Sequence, residues 1–303
     1  MTMASNADRP LNGRVAIVTG AGSGLGRAHA LYLATQGASV VVNDLDPAAA
    51  RQVAAEIEEQ GGVALDAPAS VTDAAAIGEM IANVQDSWGR IDILVNNAGI
   101  LRDRSFTKMT LDDFRLVVDV HLIGAAICCK AVWDVMRAQR YGRIVMTTSS
   151  SGLWGNFGQA NYGAAKLALV GLMQTLAIEG EKYGICVNSL APTAATQMTH
   201  GVLAEESLVE LDPALVSPGL LALVGEDAPT RAILCAGAGH FASAEIMLSE
   251  GCHIGAGPEA GSRLVANWPL VIDRKAAVAP AYGFAQAERE VASARRNAAI
   301  RFS

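Results

Sequence analysis

Lysine is scarce in this chain, at five in 303 residues, alongside five tyrosines and five histidines. The histidines are scattered with no pair at metal-ligand spacing, so no metal site is expected. The five cysteines, Cys128, Cys129, Cys186, Cys235 and Cys252, form no C-x-x-C pair and sit in apolar surroundings, so reduced thiols in a cytoplasmic protein are expected. No basic run occurs and the net charge is −7, which argues against a nucleic-acid partner. The opening "MTMASNADRPLNGR" is polar and lacks the apolar stretch of a signal peptide. No window approaches about 18 apolar residues without a charge, so no membrane span is expected. What is present is 51% hydrophobic and 17% charged, enough to bury a substantial core in one large α/β domain.

Short apolar runs alternate with longer, Ala-rich stretches of helical period. The segments 15–19, 39–43, 92–96, 143–148 and 186–191 read as strands buried on both faces, with weaker strands at 62–66 and 231–237. Helices are expected near 25–36, 47–60, 72–88, 110–138, 160–182 and 203–224. This alternation predicts a Rossmann-type, doubly wound parallel sheet in a single domain. Its NAD-binding and catalytic part is expected over 11–238. Beyond Gly239 the rhythm is lost, and 239–303 is expected to be a C-terminal extension packed on the same domain or on a neighbouring subunit.

"VTGAGSGLGRAHALYLA" follows the first strand and opens the first helix. Gly20, Gly24 and Gly26, with Ser23 and Leu25 between them, allow a tight turn whose helix N-terminus attracts a pyrophosphate. The second strand ends in "NDLD", where Asp44 can accept hydrogen bonds from both ribose hydroxyls of an adenosine. A carboxylate there repels a 2′-phosphate and Ser23 offers no compensating cation, so NAD is expected over NADP. The alternative is an ordinary turn aspartate.

Tyr162 and Lys166 lie four residues apart in "GNFGQANYGAAKLALVGL". Chance gives roughly 0.08 such pairs in a chain of this composition, so the motif is suggestive by itself. On a helix the two share a face, and an ammonium there favours the tyrosine phenolate over the phenol, whose usual pKa is about 10.

Taken in order, T-G-x-x-x-G-x-G at 19–26, "NNAG" at 96–99, Ser149 and Y-x-x-x-K at 162–166 resemble the short-chain dehydrogenase/reductase family. "NNAGILRDRSF", "YGRIVMTTSSSGLWGNFGQANYGAAK" and "GSRLVANW" resemble more closely the (3R)-hydroxyacyl-CoA dehydrogenase unit of multifunctional β-oxidation enzymes. The likeness runs from about residue 11 to about 275. It implies that Tyr162 is the proton acceptor, that Lys166 also bonds the nicotinamide ribose, and that Ser149 holds the substrate oxygen. The wider family carries an asparagine where this chain has His121; here His121 is either a supporting catalytic residue or simply a packed one. The resemblance also assigns Asn97, Ala98 and Gly99 to the cofactor cleft, Ser70 and Val71 to the adenine side, Pro192 to the cleft after the sixth strand, and Thr196 to the nicotinamide carboxamide.

Segment 194–224 lies where this family builds its substrate lid, and reads as a mobile flap or as two helices packed on a neighbouring subunit. Arg102, Arg104 and Lys108 form a basic cluster that either is a solvated loop or meets the phosphates of coenzyme A. Three readings follow. The first is an NAD-dependent enzyme of (3R)-3-hydroxyacyl-CoA, with bulky or steroid-derived acyl chains included. The second is a dehydrogenase of a free hydroxysteroid or other secondary alcohol. The third is an idle NAD-binding regulatory subunit, which the intact Ser149, Tyr162 and Lys166 argue against. A homodimer or homotetramer is implied through the long helices at 110–138 and 160–182.

Overall fold

The computed structural model describes residues 9–195 and 208–301. Seven parallel strands, β1 (Val15–Thr19), β2 (Ser39–Asp44), β3 (Val63–Pro68), β4 (Ile93–Asn96), β5 (Gly142–Thr147), β6 (Ile185–Thr193) and β7 (Ile233–Gly237), form one sheet with the antiparallel edge strand β8 (His240–Ala244). Their order is β3-β2-β1-β4-β5-β6-β7-β8. The strands are continuous apolar runs because both faces are covered. In β1, Ala16 and Val18 join one core with Leu33, Val53 and Leu220. Val15 and Ile17 join the other, with Ile77, Val132 and Met173. The first core lies under α1 (Gly24–Thr35), α2 (Pro47–Glu59) and α8 (Pro218–Val224), and the second under α3 (Ala74–Trp88), α5 (Gly124–Gln139) and α7 (Ala160–Gly180).

Sequence-local chemistry starts these helices. Asp46 accepts from Ala48 N and Ala49 N ahead of Pro47 to open α2, and Asp73 does the same for α3. After β3 the chain returns to place β4 on the other side of β1. The strand order therefore reverses between β1 and β4, and the turns that follow them, Gly20 and Asn97, meet where such sheets bind ligands.

One expectation is refined and two need correction. The helix expected over 110–138 runs over Leu111–Gln139, but α4 (Leu111–Val118) passes into a π-helical turn, Asp119–Ile123, before α5. A single wide turn of this kind re-aims the side chain it carries. Within 203–224, the described part holds a short 3₁₀ turn at Pro213–Leu215 and then α8; each proline sits in the first turn of its own element, so no single helix runs through. The sheet does not stop at residue 238, because β8 pairs along the whole of β7. The chain accordingly divides into compact units 1–244 and 245–303.

Among the described residues, the continuous run Leu111–Gln139 is long and apolar enough, by length and composition, to cross a membrane. It carries Asp112, Asp113, Arg115, Asp119, Lys130, Asp134 and Arg137, and its Val117, Cys128, Val132 and Met136 are buried in the protein. The second unit contains α9 (Ala260–Ala266), α10 (Trp268–Val271) and α11 (Phe284–Arg301), with a bridge between Leu248 and Val278.

Candidate active site

The loop after β1 takes its shape from glycine. Gly20 and Gly24 have φ of +62° and +51°, the left-handed region that other residues avoid. A Cβ on Gly26 would collide with the Gly20 carbonyl and come within 2.6 Å of Asn97 Nδ2. At the start of α1, Ser23 makes no capping bond and the first turn holds no acid. The leading N–H groups of α1 are thus left for an anion, and the cradle fits a pyrophosphate.

Asp44 closes one side of this cradle. Its Oδ2 accepts from Gly22 N at 2.8 Å and its Oδ1 from Asp46 N at 3.0 Å. Each oxygen retains acceptor capacity, so the residue both holds the loop and remains available to ribose hydroxyls. Asn97 lines the cleft. Its Nδ2 donates to the carbonyls of Thr19 and Gly20 at 3.0 and 3.2 Å, so the side chain ties the end of β4 to the end of β1. After β3, Ser70 Oγ pairs with Thr72 Oγ1 at 2.9 Å and Val71 packs beneath Gly124.

A cleft of about 600 Å³ brings together Gly20, Ser23, Gly24, Leu25, Gly26, Asp44, Ser70, Val71, Asn97, Ala98, Gly99, His121, Ser149, Tyr162, Lys166 and Pro192. These are all of the site residues expected from sequence except Thr196, which lies outside the described residues together with much of the segment expected to be a lid.

Ser149 follows β5 and caps α6 (Ser150–Trp154), its Oγ accepting from Ser151 N at 3.2 Å. Lys166 is buried on α7, donates from Nζ to Thr147 O at 2.6 Å and places Nζ 5.5 Å from the centre of the Tyr162 ring. Burial lowers the Lys166 pKa to about 7. For Tyr162, burial moves the phenol up, its hydrogen bond with Ser149 acts downward, and the Asp103 charge acts upward. The lowering expected from the i,i+4 spacing is therefore absent in the protein alone. Desolvation disfavours the charge on both members of the pair.

The π-helical turn delivers His121 to the same place. Its ring meets that of Tyr162 edge to face, at 5.3 Å and 87°. Nε2 lies 2.8 Å from Ile100 O and 3.0 Å from Ile100 N, while Nδ1 is buried with no partner among the described residues. Gly99 is required beneath it, since a Cβ there would overlap the imidazole. Burial, with the Lys166 charge second, lowers the His121 pKa to about 3. The imidazole is therefore neutral at ordinary pH and buttresses the tyrosine ring rather than carrying charge.

A second histidine behaves alike. His29 on α1 is buried, bonds Ser217 Oγ through Nδ1 at 2.9 Å, and has a pKa lowered by burial to about 3. The unfolded chain therefore binds more protons than the folded one between about pH 6.5 and 3. Stability is fully present above that window and is lost as pH falls through it, at about 1.4 kcal/mol per unit for each histidine. Urea unfolding should show a clearly lower midpoint at pH 5 than at pH 7; equal midpoints would contradict the buried neutral state.

Sequence reading missed Asn156 and Gln159, which also line the cleft. Neither is charged nor set in a motif with its own chemistry, and Gln159 finds its partner, Asp103, 56 residues away. Arg102, Arg104 and Lys108 are exposed and do not line the cleft; Arg102 bonds Leu101 O at 2.8 Å.

Comparison with known proteins agrees with this geometry. The short chain dehydrogenase family profile matches residues 14–207, more than half of the chain. Peroxisomal multifunctional enzyme type 2 of Mus musculus is 48% identical over 224 residues, covering 71% of this chain and 30% of the mouse protein. The chain thus spans under a third of that relative. The structure of full-length peroxisomal multifunctional enzyme type 2 from Drosophila melanogaster superposes with a TM-score of 0.79 at 36% identity, over 94% of this chain and 50% of that one. A 7α-hydroxysteroid dehydrogenase complexed with NADH and 7-oxo glycochenodeoxycholic acid gives a TM-score of 0.71 at 29% identity, over 78% of this chain and 98% of that one.

Proposed function

We propose that this chain, which belongs to the short-chain dehydrogenase family and is an oxidoreductase, interconverts (3R)-3-hydroxyacyl-CoA and 3-oxoacyl-CoA with NAD. The observation that carries the reading is the convergence of Ser149, Tyr162 and Lys166 with the glycine loop and Asp44 on one cleft. The loop, the start of α1 and Asp44 would hold the dinucleotide, with Lys166 toward its nicotinamide ribose. When bound, the nicotinamide supplies the hydride acceptor.

The protein's own residues manage the oxygen and its proton. Ser149 Oγ donates to the substrate oxygen and fixes it beside the Tyr162 hydroxyl. Tyr162 takes the hydroxyl proton as the carbon is oxidised and returns it in the reverse direction. Burial raises its pKa, and a positive charge in the cleft would act against that burial and favour the phenolate. Lys166, fixed by Thr147 O, keeps its ammonium on the same helix face. His121, seated against Gly99, meets the edge of the tyrosine ring.

The acyl-CoA assignment rests on the resemblance over "ILRDRSF", "GNFGQANY" and "ANW" and on similarity to the multifunctional enzymes. Exposed Arg102 and Arg104, next to the cleft-lining Leu101, support a place for the phosphates of coenzyme A. Exposed Leu116, Ile123, Leu167 and Ile178, on α4, the π turn and α7, support a homodimer or homotetramer. The runner-up is a free hydroxysteroid, favoured by likeness to the hydroxysteroid dehydrogenase. A panel of (3R)- and (3S)-hydroxyacyl-CoA, the matching free acid and a free steroid alcohol, followed as NADH absorbance, separates the two. The (3R) ester should turn over fastest; faster turnover of the free alcohol, or a preference for (3S), would transfer the chain to the second reading.

A further inference from the structure

His121 lines two spaces. One is the cleft that it shares with Ser149, Tyr162 and Lys166. The other is an internal cavity of about 10 Å³, which none of those three residues lines. That is room for about one water molecule. Val71, Val120, Ala125 and Leu169 give the cavity apolar walls, and Thr19, Asn96 and His121 bring polar side chains to it.

Thr19 has its partners already. Its Oγ1 donates to Val95 O at 3.3 Å and accepts from Asn97 N and Ala98 N at 3.0 and 3.1 Å. Asn96 and His121 are different. Both are more than nine-tenths buried, at 5% and 2% exposure. Asn96 Nδ2 donates to Cys129 Sγ at 3.3 Å and to Met146 Sδ at 3.5 Å, while Asn96 Oδ1 has no partner among the described residues. The Ile100 backbone holds His121 at Nε2, and Nδ1 is left in the same condition as Asn96 Oδ1. Buried polar atoms are costly to leave unpaired, so two on the wall of one cavity call for a shared partner. An amide oxygen only accepts, whereas a water donates twice and accepts twice. One water can donate to Asn96 Oδ1 and still serve His121 Nδ1 in either tautomer of the ring.

We propose that a single buried water bridges Asn96 Oδ1 and His121 Nδ1, and that Asn96 is through it a positioning residue for the imidazole. Held at Nε2 alone the ring can turn about that point, and the water supplies a second one. It thereby sets the edge-to-face contact with Tyr162, at 5.3 Å and 87°. The water moves no proton of the reaction, since neither Tyr162 nor Lys166 lines its cavity. Its effect on turnover rests on Tyr162 as the proton acceptor; the site itself does not depend on which substrate is oxidised.

The experiment is a crystal structure of the full wild-type chain at a resolution that places waters, with the nitrogen NMR resonances of the His121 ring measured on the same protein. Density for one water should lie about 2.7–3.2 Å from both Asn96 Oδ1 and His121 Nδ1. Asn96→Leu removes the acceptor at similar volume, and Ala125→Val fills the cavity while leaving both polar side chains in place. Each variant should lose the water and shift the Nδ1 resonance. Each should also lower kcat about five- to tenfold, the size of one hydrogen bond, with KM within about twofold of wild type. Damage elsewhere in the fold would not single out Nδ1. Ala125→Val gives the answer where Asn96→Leu fails to fold, and the wild-type density gives it where both fail. A dry cavity in the wild type, or a water bonded to only one of the two atoms, overturns the inference. So does an unchanged Nδ1 resonance or kcat in a folded variant that has lost the water. A wild type that oxidises none of the hydroxy substrates overturns the reaction assignment, while the density and the resonance still decide the water site.

Discussion

Tyr162→Phe should lower turnover by about 10²- to 10⁴-fold, the range general acid–base groups supply, with little change in cofactor affinity. The phenyl ring keeps the edge-to-face contact with His121 at 5.3 Å and the packing on α7, so the cleft should survive the substitution. What is lost is the only atom of that side chain able to accept the proton. Neither neighbour replaces it. Lys166 donates to Thr147 O, and the buried His121 offers Nε2 to the Ile100 backbone. Single-turnover oxidation with saturating cofactor is the measurement, because product release can mask a slower chemical step. Retention of more than a tenth of the wild-type rate under those conditions would sink the mechanism. Cofactor affinity, read by quenching of protein fluorescence, should stay within a few-fold of wild type.

The second large effect is on cofactor choice. Wild type should prefer NAD, and Asp44→Ala combined with Leu45→Arg should shift the NAD-to-NADP ratio of kcat/KM by about 100-fold. A hydrogen bond to a charged group contributes about 1.5–3 kcal/mol, and roughly 1.4 kcal/mol is a factor of ten, so loss of the ribose contacts alone accounts for much of this. The exposed Leu45, which follows Asp44 and lines the cleft, gives the arginine a position from which to meet a 2′-phosphate. Asp44 also accepts from Gly22 N, so the double variant should bind both cofactors less tightly in absolute terms. The ratio is therefore the proper readout. A wild type that already prefers NADP tenfold would show that the end of β2 has been misread.

The sequence by itself determined the sheet, because burial on both faces leaves an uninterrupted apolar run that can be recognised locally, as in β1 and β2. It determined the tight glycine turn after β1, because backbone turning at Gly20 and Gly24 demands glycine whatever surrounds it. It also identified Tyr162 with Lys166, since four residues is one helical turn, and resemblance to a known family added Ser149. Tertiary structure alone decided how those groups are charged. Spacing predicts attraction between ammonium and phenolate, whereas the folded protein desolvates both, with Lys166 lowered to about 7 and Tyr162 raised. The side-chain direction of Asn97, the π turn that brings His121 to Tyr162, and the pairing of Gln159 with Asp103 were likewise invisible in the chain. Periodicity and turn chemistry act over a few residues, but solvent exclusion and long-range hydrogen bonds depend on neighbours that only folding assembles.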